Sequence, residues 1–284
     1  MTGAISGNQQ RAGRFYFTVP ETMSLDGRSQ IIYGTNVSTT PIPPGGALGH
    51  WDRHLEEIRG RGIEPAAMRT FELQPGTSAV WYAEHESPNI LTLETMTPKS
   101  DHLLLLDREA YAGKEAGAET LVRNIVNTYV QRAAYGFCVG YGSIAMEPSQ
   151  TESARITFSR RNVPEFEIEF STQTVREPDN QTYSDLDEER EIADAGGGQL
   201  TVLKEGVRRV AGLDGKQIWI SLTVPGEPPT VRFTWHFAGE PGDSFHPMIN
   251  ILAMAPAAQR ADLESAWETV LQSLRQVPLR SETR

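Results

Sequence analysis

The chain has 284 residues, 38% of them hydrophobic, with a formal net charge of −11 and a sequence pI of about 5.1. This length is sufficient for two domains, each with its own hydrophobic core. Because nucleic acids and anionic membranes are bound by basic surfaces, the acidic charge argues against both as partners, and no apolar run reaches the roughly 20 residues of a transmembrane helix.

The first half is predicted to contain six strands and two helices. Its first residues, 1–12, are polar and small, and we expect them to be disordered. A stiff loop at 39–46, Thr-Thr-Pro-Ile-Pro-Pro-Gly-Gly, precedes a predicted helix at 47–60. A second helix is predicted at 116–134 from an apolar stripe of Val122, Ile125, Val126, Tyr129 and Val130. The predicted strands are 14–19, 30–37, 70–74, 78–84, 90–96 and 102–107.

The second half repeats this arrangement after a segment rich in glycine and aromatic residues at 136–146. Strict alternation predicts a hairpin of 154–160 and 165–173, in which Ile156 and Phe158 face Ile168 and Phe166. Four more strands are predicted at 200–211, 217–224, 230–238 and 247–254. The final helix, 259–276, carries the same stripe spacing at Leu263, Ala266, Trp267, Val270, Leu271 and Leu274.

Each half therefore consists of two strands, an insert, four strands and a helix. Short turns between successive strands favour antiparallel pairing, so the predicted class is α+β. We expect two similar lobes, each an antiparallel sheet packed with one or two helices, and the shared pattern suggests an internal duplication. The predicted domains are 1–134 and 135–284.

No motif in the chain indicates catalysis, a metal or a cofactor. His50 and His54 have the i, i+4 spacing of a helical metal site, but Trp51 occupies the position of the catalytic glutamate and a third ligand is missing. Gly140 and Gly142 belong to a glycine-rich stretch without the lysine of a phosphate-binding loop. The single cysteine, Cys138, lies in an apolar context typical of a core residue, and it excludes an intrachain disulfide.

An acidic segment lies at 176–198, and one or two helical turns are expected within 184–194. Its carboxylates do not follow the calcium-loop pattern, which leaves two interpretations: a solvated turn or a protein-binding surface. The same two interpretations apply to Glu165, Glu167 and Glu169. The acidic side chains of the segment are Asp185, Asp187, Glu188, Glu189, Glu191 and Asp194.

Several stretches resemble one known protein family. Residues 13–21 read Gly-Arg-Phe-Tyr-Phe-Thr-Val-Pro-Glu, and residues 136–144 read Gly-Phe-Cys-Val-Gly-Tyr-Gly-Ser-Ile. The resemblance continues through 206–215, 233–235 and 266–275, so it covers most of the second half. In these stretches the chain is similar to the two-domain immunity proteins of type VI secretion lipase effectors.

This resemblance implies a periplasmic antitoxin without enzymatic activity. Its implied partner is a cognate lipase effector, a phospholipase delivered by neighbouring bacteria, which the two lobes would grip. The first ten residues lack the basic start and apolar stretch of a secretory signal, so the location follows from the resemblance alone. We expect contacts from Asp185, Asp187, Glu188, Glu189 and Glu191 and from the loop prolines Pro43 and Pro44. The alternative is a periplasmic or envelope module that binds a small ligand between the halves.

Overall fold

The structure, a computed structural model, describes residues 7–84, 87–131, 135–177, 190, 191, 195 and 197–277. The chain forms two compact units. Among the described residues, the continuous unit is Gln30–Glu147, and the split unit combines residues 7–29 with residues 148–277. Among the described residues, none of the helices has both the length and the apolar character that crossing a bilayer requires.

The described part of the first half contributes nine strands and two helices. In chain order they are β1 (Asn8–Ala12), β2 (Phe15–Val19), β3 (Met23–Ile32), β4 (Thr35–Pro41), α1 (Gly46–Gly60), β5 (Arg69–Gln74), β6 (Thr77–Ala83), β7 (Ile90–Pro98), β8 (His102–Tyr111), α2 (Glu115–Thr128) and β9 (Tyr129–Gln131). A 3-10 turn at Pro65–Ala67 lies between α1 and β5.

The described part of the second half also contributes nine strands, together with one long helix. They are β10 (Phe137–Val139), β11 (Gly142–Ile144), β12 (Ser153–Arg160), β13 (Glu167–Gln173), β14 (Gln199–Val210), β15 (Leu213–Thr223), β16 (Thr230–Phe237), β17 (Met248–Pro256), α3 (Arg260–Ser273) and β18 (Arg275–Gln276). A 3-10 turn at Ala257–Gln259 leads into α3.

The two units use the same strand order in their larger sheets. In the continuous unit the order is β3-β4-β8-β7-β6-β5, and in the split unit it is β12-β13-β17-β16-β15-β14. The pairs within both runs are antiparallel. The structure thus confirms the predicted α+β class, with antiparallel sheet as its main component.

The compact units do not follow the predicted division into 1–134 and 135–284. The expected disorder of residues 1–12 does not extend to Asn8–Ala12, because this segment forms β1 and pairs with β2. Both strands belong to the split unit with the C-terminal residues, and β3 carries the chain across the division between Ser29 and Gln30. This association joins residues more than 250 positions apart, which local sequence patterns do not encode.

One predicted strand, 30–37, is wrong because the chain turns back in its middle. Tyr33 and Gly34 both have positive φ, at 53° and 68°, which is the conformation of a tight hairpin turn. Ile32 then pairs with Thr35 across the turn. The β-branched residues of this stretch were correctly assigned to extended structure and belong to β3 and β4, whereas the aromatic residue Tyr33 lies in the turn.

Helix α2 ends six residues before the predicted end of 134. The Thr128 hydroxyl bonds back to the Asn124 carbonyl at 2.7 Å, and the Thr128 carbonyl accepts the Ala145 amide at 2.9 Å. Tyr129 and Val130 therefore leave the helical stripe and form β9, which pairs with β11. By contrast, every buried residue of α3 belongs to its predicted stripe.

In each unit, apolar side chains of the sheet pack against apolar side chains of a helix. In the continuous unit α1 places Trp51 and Ile58 against Val80 and Met96 of the sheet, while α2 contacts β7 and β8. The core of the split unit includes the ring of Phe233, which lies between Trp219 at 4.2 Å and Trp267 at 6.0 Å. Replacing a buried aromatic side chain with alanine typically costs roughly 3–5 kcal/mol, so these rings make a large contribution to the stability of the split unit.

The β12–β13 hairpin forms as predicted, with a register shifted by two residues. Ile156 is opposite Phe170, and Phe158 is opposite Ile168. The apolar face is the predicted one, since alternation fixes which side is buried, but the loop after Arg160 sets the register. That loop contains two residues with positive φ, Asn162 and Glu165.

Candidate interaction surface

The loop before α1 forms an exposed and conformationally restricted surface in the continuous unit. Pro43 is half-buried and Pro44 is exposed, and the Gly46 amide donates to the Pro43 carbonyl at 3.0 Å. Gly45 has a φ of 100°, which favours glycine at this turn. The chain then presents Leu48 in the first turn of α1 with 76% of its surface exposed. An apolar side chain on a stiff backbone can dock on a partner at low entropic cost.

The acidic segment is only partly covered by the described residues. Glu191 is helical and exposed. Asp185, Asp187, Glu188 and Glu189 lie outside the described residues, as does Asp194. These side chains keep the two interpretations that the sequence gives them.

The row of Glu165, Glu167 and Glu169 is not a uniformly solvated face. Glu165 is an exposed turn residue, whereas Glu169 is buried and accepts a hydrogen bond from Arg155 at 2.6 Å. Burial raises the pKa of Glu167, and the negative charges of Glu169 and Asp26 raise it further. The row thus combines one loop residue with two strand residues in different environments.

His54 anchors α1 to the sheet of the continuous unit. Its Nε2 bonds a carboxylate oxygen of Glu94 on β7, and the other oxygen of Glu94 accepts the Tyr82 hydroxyl. Burial would raise the pKa of Glu94, but the bonds from His54 and Tyr82 outweigh burial and lower it. The same bond raises the pKa of His54. His54 therefore serves an ion pair, while His50 remains half-exposed one turn earlier.

A second histidine forms an arrangement that resembles a catalytic relay. His102 is fully buried, with Nδ1 at 2.7 Å from an Asp101 oxygen and Nε2 at 2.7 Å from the Tyr129 hydroxyl. Burial and the charge of Asp101 raise the pKa of Tyr129, which opposes formation of a nucleophilic phenolate. The hydroxyl also faces Gly142, where an added Cβ would lie 2.6 Å from it. The arrangement closes the packing of β9 against β11.

One loop brings together three potential metal ligands that no sequence motif indicates. Within the described residues, Glu240, Asp243 and His246 have ligand atoms within 4.8 Å of one another. Asp243 already accepts the Phe245 amide at 2.7 Å through Oδ1 and contacts His246 Nδ1 at 2.7 Å through Oδ2. Both oxygens thus serve the loop itself, and the Glu240 amide closes it on the His246 carbonyl at 2.7 Å.

Comparison with solved structures shows where this fold occurs. The chain is similar to the crystal structure of a Tle4-Tli4 complex, with 16% identity and a TM-score of 0.75 over 95% of this chain and 97% of that chain. It is equally similar, at 17% identity and a TM-score of 0.75, to the apo structure of the immunity protein TplEi of the type VI secretion system (T6SS) from Pseudomonas aeruginosa. TplEi complexed with the "L" peptide matches at 16% identity and a TM-score of 0.69.

At 16–17% identity, similarity to these solved structures establishes the fold alone. The family is established by a separate comparison of the sequence with family models. No match is found among curated protein sequences. The model of the Tle cognate immunity protein 4 C-terminal domain matches residues 133–278, which is just over half of the chain. The chain therefore belongs to the family of Tle cognate immunity protein 4.

Proposed function

We propose that this chain is an immunity protein that binds a type VI secretion phospholipase effector and inhibits it by gripping it between two lobes. The observation that carries the proposal is the family match over residues 133–278. The similar fold of the Tle4-Tli4 complex adds support, because it extends along 95% of this chain. The net charge of −11 would speed the encounter with a partner that presents a basic surface.

The two lobes in this proposal correspond to a duplicated fold. Both larger sheets have the order hairpin followed by a returning four-strand meander, and in each half a helix follows the meander. A short strand then follows the helix, β9 in the first half and β18 in the second. Each half has nine strands among its described residues, and their shared order and antiparallel pairing support an internal duplication.

We assign part of the contact surface to the loop with Pro43 and Pro44 and to the acidic residues Asp185, Asp187, Glu188, Glu189 and Glu191. Leu48 extends this loop surface, and an exposed apolar side chain is the type of residue that contributes affinity once it is covered. Tight inhibition favours an interface of at least about 1,200 Å², which one short loop cannot provide. The effector would therefore be contacted by several segments.

In this proposal the chain acts in the periplasm and inhibits by occupancy. The buried His102 and its hydrogen bonds to Asp101 and Tyr129 serve the packing of the fold as described above. The location is inferred from the family alone.

The direct test combines the pure chain with the lipase encoded beside its gene. We expect the two proteins to elute together from a sizing column and phospholipid hydrolysis to fall in proportion to added chain, reaching zero near one equivalent. An unrelated lipase, tested in parallel, should keep its activity. Separate elution with unchanged hydrolysis would refute the proposal. Stabilisation of the chain by a small periplasmic metabolite, without effector binding, would favour the alternative ligand-binding module.

A further inference from the structure

An exposed tyrosine lies at the tip of the β10–β11 hairpin in the continuous unit. Gly140 and Tyr141 are the two residues between the paired strands. Gly140 has a φ of 47°, a conformation that two-residue hairpin turns require. The Tyr141 amide donates to Thr39 Oγ1 at 3.3 Å, and 41% of the tyrosine surface is exposed. The turn therefore fixes the point at which this side chain leaves the backbone.

The ring of Tyr141 is supported from below by a buried histidine. It stacks on the imidazole of His102, with ring centroids 4.9 Å apart and planes inclined by 10°. His102 is itself fully buried and is held through both nitrogens by Asp101 and the Tyr129 hydroxyl. A ring held in this way loses little conformational freedom when a partner covers its outer face. The hairpin thus presents an aromatic surface that is positioned in advance.

A cation lies at the same end of the unit. Lys99 belongs to the turn between β7 and β8, and its amide donates to the His102 carbonyl at 2.8 Å. Its ammonium lies 5.4 Å from the centroid of the Tyr129 ring, and burial lowers its pKa. A partly desolvated ammonium attracts a carboxylate more strongly than a fully hydrated one does. In a chain with a net charge of −11, this cation favours a partner segment that carries a carboxylate.

Tyr141 lies at the same end of the sheet as the loop before α1. In the β4–β8 pair, Pro41 is opposite His102, and the Tyr141 amide is bonded to Thr39 on the same strand as Pro41. The loop follows Pro41 directly, so it begins next to the residue on which Tyr141 stacks. Because a tight interface needs about 1,200 Å², the loop requires a neighbouring contact, and the exposed ring is in a position to provide it.

A second exposed tyrosine in the same unit lies at the opposite end of the sheet. Tyr111 is the last residue of β8, whereas His102 is the first. At about 3.4 Å per residue, the strand separates these two residues by roughly 30 Å. Tyr111 is 72% exposed, which is more than Tyr141, so exposure alone does not distinguish the two tyrosines. The support beneath the ring and the adjoining loop distinguish Tyr141.

We infer that Tyr141 is an aromatic anchor of the interface with the effector, and that the effector segment docking on it carries an apolar side chain next to a carboxylate that pairs with Lys99. The inference rests on the proposed function and adds the end of the continuous unit at which the effector binds. Tyrosine is enriched among the residues that carry most of the energy of an interface, and the contacts around such a residue exclude water from it.

The first test compares the two tyrosines in calorimetric titrations with the effector. Tyr141→Ala should weaken binding by about thirtyfold or more, and Tyr111→Ala by less than about twofold. Tyr141→Phe keeps the stacked ring and should stay within about fivefold of the unsubstituted chain. Unchanged affinity of Tyr141→Ala would overturn the inference and leave the proposed function standing. If the unsubstituted chain does not bind the effector, the proposed function fails, and this inference fails with it.

The second test concerns the charge beside the ring. Lys99→Gln should weaken binding by about threefold to fivefold, and added salt should then reduce the affinity less than it does for the unsubstituted chain. Lys114→Gln is the matched control, because Lys114 is an exposed lysine just after Tyr111 at the opposite end of β8. Equal affinity and equal salt dependence of the two variants would show that the docking segment has no carboxylate at this position.

The third test needs no substitution and therefore does not depend on the folding of a variant. Amide hydrogen exchange is measured in the unsubstituted chain, free and bound to the effector. We expect binding to slow exchange at 140–142 by about tenfold or more and to leave exchange at 110–113 unchanged. Formation of the complex without slower exchange at 140–142 would overturn the inference.

Discussion

Arg14 and Glu152 form a two-pronged ion pair inside the split unit, with both hydrogen bonds at 2.7 Å and with 3% and 5% of the side chains exposed. One residue belongs to the turn of the first hairpin and the other lies beside β12, 138 positions later. Glu152 Oε1 also accepts the Ser149 amide at 2.8 Å. The pair thus connects two chain segments that share no local sequence relationship.

Breaking this pair should destabilise the chain strongly. Arg14→Ala leaves the Glu152 carboxylate buried without its counter-charge, and we expect a loss of about 3–5 kcal/mol in the free energy of unfolding. The measurement is urea denaturation, with Arg209→Ala as the control. Arg209 faces Asp214 at 3.9 Å with both side chains mostly exposed, so its loss should cost less than about 1 kcal/mol. Equal effects of the two substitutions would contradict a buried, paired Arg14.

The stability of the continuous unit should depend on pH through His54. In the folded chain the pKa of His54 is raised above its ordinary 6.5 by Glu94, and the pKa of Glu94 is lowered below 4.5. Between these two ordinary pKa values both groups are charged in the folded chain, so their pairing makes its full contribution to the free energy of unfolding. It is lost as the pH rises through the raised pKa of His54, and as the pH falls through the lowered pKa of Glu94.

This dependence can be measured as the difference in unfolding free energy between about pH 6 and about pH 8. We expect His54→Gln to reduce this difference, because glutamine does not titrate. His50→Gln is the matched control, one helical turn away, and should leave the difference unchanged. If both variants behave like the original chain, the His54–Glu94 pair makes no contribution to stability.

Gly215 on β15 should not tolerate a side chain. A Cβ at this position would lie 2.4 Å from the indole ring of Trp235, which is fully buried and donates to the Arg208 carbonyl at 3.0 Å. Gly215→Ala should therefore cost about 1–3 kcal/mol through displacement of the indole. Gly117→Ala in α2, where nothing lies within 4 Å, should be neutral or stabilising. Thermal unfolding of both variants tests the comparison.

Leu48 should contribute to effector binding without contributing to stability. Because 76% of its surface is exposed, Leu48→Asp should change the free energy of unfolding by less than about 0.5 kcal/mol. If the loop contacts the effector as proposed, the same substitution should weaken binding by about tenfold or more, measured by calorimetric titration. Val207→Asp, at a site 79% exposed in the split unit, serves as the control. Unchanged affinity for Leu48→Asp would remove this loop from the interface.

Local sequence patterns were sufficient for much of the fold and for the family. Helical spacing of apolar residues located α3 and the buried face of α2, and period-2 alternation located β12, β13 and β16. These signals survive because the side chains on one face of an element share one environment, wherever that element lies in the tertiary structure. The resemblance of residues 136–144 and 206–215 to immunity proteins is consistent with the family match.

Sequence patterns predicted less of the candidate interaction surface than of the fold. Pro43 and Pro44 were singled out because proline and glycine restrict a loop, whereas the exposure of Leu48 was not predicted. The signal that could have located it is its position in the first turn, beside Gly45 and Gly46, where the helix has just begun. Periodicity assigns a face to a helix, but it does not tell whether the sheet extends far enough to cover the end of that face.

By itself, the sequence determined the α+β class and the approximate positions of the helices α1, α2 and α3, because each depends on residues that are neighbours along the chain. Only the tertiary structure decided which strands complete which unit. Tyr16 pairs with Arg275 and Ser143 with Val130, and every strand edge offers the same backbone donors and acceptors. The choice of partner therefore depends on the assembled core, in which Phe15 and Phe17 are buried against Phe170, and no local pattern records it.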